Sequence, residues 1–434
     1  MKGTLAEFLW VAAPKIAAGG GQLLANLLLV RRLGPENAGV LFVCITAIML
    51  SDAVLGSSLD IAVLKLATSG AGREPRASLQ IQKAALLGKV LSCFLLAVPI
   101  LVFSQAISAR LFHQFSDARL LMLSLISLFG LLILRSVQTY FQVSRQFTLY
   151  GATDLLHSLA KYGGVAVLLA IGVRTPLGLL TVFACGPLLV GIVLLLTITR
   201  PMLTARFSRV ALIELWHSFK WYFASGAAAS INTRVDVLLL SVAAGTAQAG
   251  LFSAAQVICM PVQLLGMYLA VVFAPRIMPL WEQGRLSGVY HKFQTYAIAG
   301  AFVAYGLALL LVGRLSALVL PSTYRGTTTI ILLLLPSALT ALINFPWTVS
   351  LLMFAHPRFL LAFELAALPV LVVLYRIISA REGAIGAAAV TSGFAIIKTI
   401  AYQVLASRTA KSRPISAAPT EQVLDGIAAE ATSA

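Results

Sequence analysis

Hydrophobic residues in this chain run in blocks of about 20, separated by short stretches that hold most of the polar residues. A helix needs about 20 residues to cross roughly 30 Å of hydrocarbon, whereas the strands of a membrane barrel alternate over about ten. The pattern therefore predicts an all-α, polytopic membrane protein with twelve transmembrane helices. The predicted spans are 8–30, 38–64, 84–105, 120–142, 152–172, 177–198, 220–243, 249–274, 294–313, 327–354, 359–378 and 384–405.

One stretch of the chain occurs twice. LLLVRRLGPENAG, from Leu27 to Gly39, aligns with LLLSVAAGTAQAG, from Leu238 to Gly250, after a shift of 211 positions. Six predicted spans precede the long polar connection at 199–219 and six follow it, so both halves enter the membrane in the same direction. A parallel repeat of this kind is found in transporters that rock two lobes around a central site. We expect an N-terminal six-helix lobe at 1–206, a C-terminal six-helix lobe at 207–406 and a flexible cytoplasmic tail at 407–434.

Composition supports the membrane assignment and narrows the function. With 59% hydrophobic and 11% charged residues, the chain has more apolar surface than a soluble protein could bury. The net charge of +17 would suit nucleic-acid binding in a soluble protein, but no nucleic-acid motif is present. The basic residues instead flank the spans: 17 lie on the side of the two termini and nine on the other. The positive-inside rule therefore predicts that both termini are cytoplasmic.

Motifs for catalysis or metal binding are missing. The four cysteines lie inside hydrophobic segments without metal-binding spacing, and the five histidines form no H-x-x-x-H pair. No nucleotide-binding P-loop is present either. We expect a protein that is not an enzyme and needs no metal or other cofactor.

Polar residues inside the predicted spans indicate a wet cavity. A charge at mid-bilayer costs about 2.5 to 3.5 kcal/mol, so intramembrane cations need water or a partner. Polar side chains at helical spacing form stripes in spans one, four and five. The predicted cavity residues are Lys15, Gln22, Asn26, Arg135, Lys161, Arg234 and Lys398, with Asp52 and Asp236 as candidates for ion coupling. Pairing with nearby acids, which would make some of these cations structural, is the alternative.

Three segments resemble a known superfamily. LLLVRRLGPENAGVLF (27–42) resembles the first helix junction of polysaccharide exporters in the multidrug/oligosaccharidyl-lipid/polysaccharide (MOP) superfamily. RVDVLLLSVAAGTAQAGLFSAAQV (234–257) is similar to the superfamily's segment joining helices seven and eight, and GAIGAAAVTSG (383–393) to its last helix. Their order matches over nearly the whole chain.

The resemblance implies a Wzx-type O-antigen flippase. Such a protein moves undecaprenyl-diphosphate-linked oligosaccharide across the bacterial plasma membrane by alternating access, among membrane lipids and beside glycan polymerases and glycosyltransferases. Helices one, two, seven and eight of the family face the cavity, which on this chain also places Gln256 and Gln263 there. Two alternatives stay open: a multidrug or cation exporter of the same superfamily, and a non-transporting component of a glycan-synthesis complex. A glycan polymerase would need a larger extracytoplasmic loop than this chain has.

Arg31 and Arg32 follow the first span and have no counterpart in the second copy of the repeat, where Val242 and Ala243 stand. We expect them either to belong to an outer gate or to reach toward lipid headgroups from the interface.

Overall fold

Helices make up almost all of the described chain. The computed structural model describes residues 2–68, 75–115, 117–282, 286–354 and 357–411. The α-helices are, in chain order, α1 (Lys2–Asp52), α2 (Ser58–Thr68), α3 (Pro75–Val102), α4 (Ser104–Phe112), α5 (Ala118–Val143), α6 (Phe147–Ser158), α7 (Gly164–Ala170), α8 (Pro176–Thr197), α9 (Arg200–Thr204), α10 (Arg209–Ala244), α11 (Thr246–Glu282), α12 (Leu286–Val319), α13 (Thr327–Phe354) and α14 (Pro357–Lys411). Two π-helical segments, Ala53–Ser57 and Leu159–Gly163, follow α1 and α6, and two 3-10 turns occupy His113–Phe115 and Ser322–Tyr324.

The predicted spans are present, although some are joined or divided. Nine helices among the described residues are long and apolar enough to cross a membrane. Two of them contain two predicted spans each, because α1 bends at Gly34 and α14 bends at Gly383 without a loop. The fifth predicted span is divided into α6, a π-helical segment and α7. The chain is thus an all-α membrane protein with the predicted order of spans.

The backbone repeats at the interval that the sequence predicts. Gly34 and Gly245, which are 211 residues apart, have nearly the same dihedral angles, with φ of 74° and 90° and ψ of 167° and 168°. Gly172 and Gly383, also 211 residues apart, both have positive φ, at 90° and 58°. Side chains strain this left-handed region, so glycine is the residue expected at such bends. The two lobes are therefore built on the same plan.

The lobes meet along α1, α10 and α11. In the N-terminal lobe α1 contacts α5 and α6, and in the C-terminal lobe α11 packs on α13 and α10 on α14. The contact of α1 with α11 joins the lobes, and one hydrophobic core runs through both, with Leu29, Leu41, Leu240 and Phe252 fully buried. We call the side of the membrane that carries Gly34 and Gly245 the hairpin side.

The polar connection between the lobes is largely helical, because it holds α9 and the start of α10. Ala211 and Leu215 at the start of α10 pack on Leu59 and Ile81 of the N-terminal lobe. The ammonium of Lys83 donates to the carbonyl oxygens of Leu203 and Ala205, at 2.8 and 2.7 Å. The helix that contains the seventh span therefore begins at Arg209, and one apolar face of its first turns packs on the N-terminal lobe. The tail from residue 412 onward lies outside the described residues.

Candidate functional site

The core of the site is Asp52, the last residue of α1, facing Arg135 of α5. Arg135 Nε lies 3.8 Å from Asp52 Oδ2, and the arginine side chain is 46% exposed whereas the aspartate is 9% exposed. A Cβ built on Gly56 would lie 2.7 Å from Asp52 Oδ1, so the glycine in the π-helical segment makes room for this carboxylate. Asp52 Oδ1 has no hydrogen-bond partner among the described residues. One oxygen of a buried carboxylate is thus left for water, an ion or a ligand.

A polar chain leads from Arg135 to the fifth span. Arg135 Nη1 lies 3.4 Å from Gln138 Oε1, and Gln138 Nε2 donates to Asp154 Oδ1 at 3.2 Å. Residues 135 and 138 share a helix face, as the stripe pattern predicts, and residue 154 completes the contact from α6. These bonds fix the orientation of the Arg135 side chain while leaving part of the guanidinium exposed.

Lys161 lies in the second π-helical segment, where aromatic rings hold it. Its Nζ is 4.5 Å from the ring centroid of Phe183 and 5.0 Å from that of Tyr162. Within the described part of the chain, no carboxylate lies within 4.0 Å of this ammonium. Cation–π contacts stabilise a cation without neutralising it. The charge of Lys161 therefore stays available to an anion.

Arg234 brings the C-terminal lobe into the same site. Its Nη1 lies 3.3 Å from Met49 Sδ, one turn before Asp52 on α1. The π-helical segment that holds Lys161 also packs on α1. The structure thus brings together four of the residues predicted from sequence. We call Asp52, Arg135, Lys161 and Arg234 the interlobe charge cluster.

Other predicted cavity residues are placed differently. Gln22 is half-buried on α1 and Asn26 is buried one turn later. Lys15 lies outside the side chains that the structure describes. Gln263 is exposed on α11. Gln22, Asn26 and Gln263 are not members of the interlobe charge cluster.

Lys398 forms an internal ion pair, which is the structural alternative considered for the intramembrane cations. Its Nζ lies 2.5 Å from Glu364 Oε1, and Tyr402 Oη donates to the same oxygen at 2.8 Å. Asn232 Nδ2 donates to Glu364 Oε2 at 2.7 Å. Glu364 is 1% exposed, so this network stabilises the packing of α10 on α14 and occupies the lysine charge.

Lys89 has the same role in the N-terminal lobe. The side chain is fully buried, and Nζ lies 2.6 Å from Asp60 Oδ1 and 3.1 Å from Ser136 Oγ. Thr139 Oγ1 donates to the same Asp60 oxygen at 2.7 Å. The pair is satisfied within the lobe and leaves no charge for a ligand.

Asp236, a candidate for ion coupling, is 3% exposed and lies two residues from Arg234. Its carboxylate accepts hydrogen bonds from the backbone N–H of Val237 at 2.8 Å and from Gln256 Nε2 at 2.9 Å. Gln256 was predicted as a cavity residue, and the structure makes it the partner of this acid. Both donors are neutral groups. Within the described chain, no basic side chain forms an ion pair with Asp236.

Arg31 connects the lobes on the hairpin side. Its Nε and Nη2 donate to the carbonyl oxygens of Val319 and Leu318, each at 2.7 Å, at the C-terminal end of α12. The last carbonyls of a helix lack partners within the helix, and a cation there also interacts favourably with the helix dipole. Arg32 is exposed. Arg31 therefore has a specific interlobe contact, beyond the interfacial position that its sequence context allows.

A second interlobe contact lies on the same side. His113 Nε2 is 2.9 Å from the carbonyl oxygen of Ser241, and Ser241 Oγ donates to the carbonyl oxygen of Leu111 at 2.6 Å. Neither residue was singled out from the sequence, because each contact joins segments about 130 residues apart. Side-chain contacts to backbone carbonyl oxygens therefore join the two lobes on the hairpin side.

Comparison with solved structures identifies the architecture. No family model and no curated protein matches the sequence. The lipid II flippase MurJ, in an inward closed conformation, superposes with a TM-score of 0.75 at 14% identity, over 93% of this chain and 88% of that one. An inward-facing multidrug resistance MATE family transporter of the MOP superfamily gives 0.63 at 14% identity, over 94% and 99%. This is the MOP fold.

Another solved structure of the MOP fold, a transporter from Pyrococcus furiosus, gives a TM-score of 0.64 at 13% identity, over 94% of this chain and 96% of that chain. The MOP fold predicted from the three sequence segments is thus confirmed. The Wzx-type cargo stays a prediction, because sequence identities this low establish the fold alone.

Proposed function

We propose that the chain is a flippase for undecaprenyl-diphosphate-linked oligosaccharide in the plasma membrane of a bacterium. The observation that carries this proposal is the interlobe charge cluster, in which Arg135 pairs with Asp52 and Arg234 of the other lobe contacts α1 one turn away. Lys161 lies on a segment that packs on the same helix. A ligand that touches all three cations contacts both lobes. Such a ligand can bias the equilibrium between arrangements of the lobes, which alternating access requires.

The chemistry of the cluster favours an anionic ligand. The cluster holds Arg135, Lys161 and Arg234 together with Asp52, and Asp154 joins it through Gln138. Two further acids lie nearby but have their own partners: Asp60 pairs with Lys89, and Asp236 accepts from Val237 and Gln256. Guanidinium groups bind phosphate oxygens in two-point contacts, and a lysine adds a point charge. A diphosphate supplies several such oxygens, and within the membrane its charge would offset the cost of keeping the cations there.

We infer the direction of transport from the charge distribution. If the termini are cytoplasmic, the hairpin side faces the periplasm and the contacts of Arg31 and His113 close the periplasmic gate. Arg31 then belongs to this gate, and Arg32 lies at its exposed edge. Substrate enters from the cytoplasmic leaflet, and separation of the two lobes on the hairpin side releases it.

The proposed transporter has two lobes, an entry path along α1 and a residue that carries the coupling ion. The lobes divide at residues 206 and 207, and the tail at 407–434 is cytoplasmic. Lys15, Gln22 and Asn26 line the entry to the cluster along α1, and Asp52 or Asp236 carries the coupling ion. The chain transports without chemical conversion, and its partners are membrane lipids, a glycan polymerase and glycosyltransferases.

Surface-glycan display in the native bacterium tests the proposal. Deletion of the gene should abolish display of one glycan, the wild-type gene should restore it, and Arg135→Gln should fail to restore it at equal protein level. Arg376→Gln, which removes an exposed arginine outside the cluster, is the matched control and should restore display. Unchanged glycans together with greater sensitivity to organic cations would contradict the proposal and favour a multidrug exporter.

A further inference from the structure

An apolar groove lies between α1 and the segment formed by α6, the second π-helical segment and α7. Its volume is about 290 Å³, and residues at helical spacing on both sides line it. Leu24 and Leu159 at its edge are 64% and 61% exposed, so the groove opens to the surface of the chain. Gly21 and Leu24 line it from α1, and Ser158, Leu159, Tyr162 and Gly163 line it from the other wall.

Two glycines keep the groove open. Glycine inside a membrane helix usually allows a neighbouring helix to approach closely, and it otherwise costs about 1 kcal/mol relative to alanine. A Cβ built on Gly21 or on Gly163 would have nothing within 4 Å, so neither glycine serves close packing. Their missing side chains instead leave space, one on each wall of the groove.

One residue of the groove also contacts the interlobe charge cluster. Tyr162 lines the groove, and the centroid of its ring lies 5.0 Å from Lys161 Nζ. The π-helical segment allows this arrangement, because the extra residue in the turn changes which side chains share a face; such segments are frequent at functional sites. An apolar channel and an unneutralised cation are therefore adjacent.

We propose that this groove holds the hydrocarbon chain of the lipid diphosphate whose headgroup lies at Lys161. The inference rests on the proposed function and extends it to a site for the lipid chain. Oligosaccharide is excluded as the occupant, because Ser158 and the Tyr162 hydroxyl offer few hydrogen bonds for its hydroxyl groups. An anionic lipid combines the two chemistries that the groove and Lys161 present.

Binding of two diphosphates to the purified full chain in phosphatidylcholine nanodiscs tests this inference. One probe is undecaprenyl diphosphate and the other is geranyl diphosphate, which carries the same headgroup on a short chain. Gly21→Leu and Gly163→Leu add a branched side chain to the groove from positions where a Cβ has nothing within 4 Å. Each should weaken binding of the long-chain probe about tenfold. Binding of the short-chain probe should stay within about twofold, a free-energy change of only a few tenths of a kcal/mol.

Three further variants serve as controls for this binding experiment. Gly300→Leu is the matched control, since a Cβ on this exposed glycine of α12 also has nothing within 4 Å, and it should bind both probes normally. Gly163→Val fills part of the groove and should still weaken binding of the long-chain probe if Gly163→Leu fails to fold. Lys161→Met should weaken binding of both probes, because both carry the diphosphate.

Three results would contradict either the groove inference alone or the proposed function with it. If the groove-filling variants bind undecaprenyl diphosphate as tightly as the wild type does, the groove inference is wrong while the proposed function stands. If phosphatidylglycerol displaces the long-chain probe as effectively as unlabelled undecaprenyl diphosphate does, the groove is a general lipid site and the inference is wrong. If the wild type binds neither probe, the proposed function fails and the groove assignment fails with it.

Discussion

Gly39 and Gly250 face each other where the two lobes meet on the hairpin side. A Cβ built on Gly39 would overlap the carbonyl oxygen of Thr246, and a Cβ built on Gly250 would overlap that of Pro35. Thr246 lies 211 residues after Pro35, and Gly250 lies 211 residues after Gly39, so the contact is reciprocal and follows the internal repeat. The lobes are closed by backbone against backbone, which allows no side chain at either glycine.

Alanine at Gly39 or at Gly250 should therefore open the hairpin side. The methyl group cannot be accommodated by a flexible side chain, because the atoms it meets belong to the backbone. Spin labels at Glu36 and Ala247 should report a longer distance in either variant than in the wild type. Gly300→Ala is the control. An unchanged distance distribution in a folded variant would show that this contact does not determine closure.

Arg31→Ala should loosen the end of α12. The substitution removes both hydrogen bonds to the carbonyl oxygens of Leu318 and Val319, and we expect a local loss of about 1 kcal/mol because the site is exposed. Hydrogen exchange of the last turn of α12 should become about fivefold faster. Arg32→Ala removes the neighbouring charge and should leave this exchange unchanged. Equal effects of the two substitutions would attribute the change to surface charge.

Lys89→Met should destabilise the protein without a specific effect on ligand binding. It leaves Asp60 buried without its cation, and loss of one partner of a buried pair costs about 3 to 5 kcal/mol. Lys89→Met with Asp60→Leu should recover part of that free energy of unfolding. Denaturant titration in detergent measures both variants. A Lys89→Met variant as stable as the wild type would show that this pair is not structural.

Asp236→Asn should uncouple transport from an ion gradient if Asp236 carries the coupling ion. Asparagine can keep the hydrogen bond with Gln256 after rotation of either amide, but it cannot bind and release a proton or balance a cation. Transport in proteoliposomes should lose its response to an imposed proton or sodium gradient while binding of the lipid diphosphate persists. Asp117→Asn, outside the spans, is the control. A gradient response that survives in Asp236→Asn would exclude this residue as the carrier.

The helices and the repeat could be predicted because they depend on local pattern. Apolar blocks of membrane-spanning length appear directly in the sequence, and Gly34 with Gly245 marks equivalent bends in the two lobes. The start of α10 at Arg209 is not evident from the sequence. Packing of Leu215 against the N-terminal lobe, rather than local composition, stabilises this end of the helix.

The site could be predicted only in part. Stripe spacing singled out Arg135 and Lys161, but Lys398 has the same kind of pattern and forms an ion pair with Glu364. Which cation is neutralised depends on contacts between distant segments, which no spacing rule shows. The same limitation applies to Phe183, whose ring lies against Lys161 from a different helix.

Direct measurement of lipid translocation tests the central claim, that the interlobe charge cluster moves a lipid diphosphate across the membrane. Purified protein is reconstituted into liposomes with a labelled undecaprenyl-diphosphate oligosaccharide, and an external glycosidase reports its arrival in the outer leaflet. We predict that the wild type and Arg376→Gln accelerate arrival over protein-free liposomes and that Arg135→Gln reduces the rate at least about tenfold, as loss of about 1.4 kcal/mol at one charged contact would. Equal rates for Arg135→Gln and the wild type, or no acceleration by the wild type, would contradict the claim.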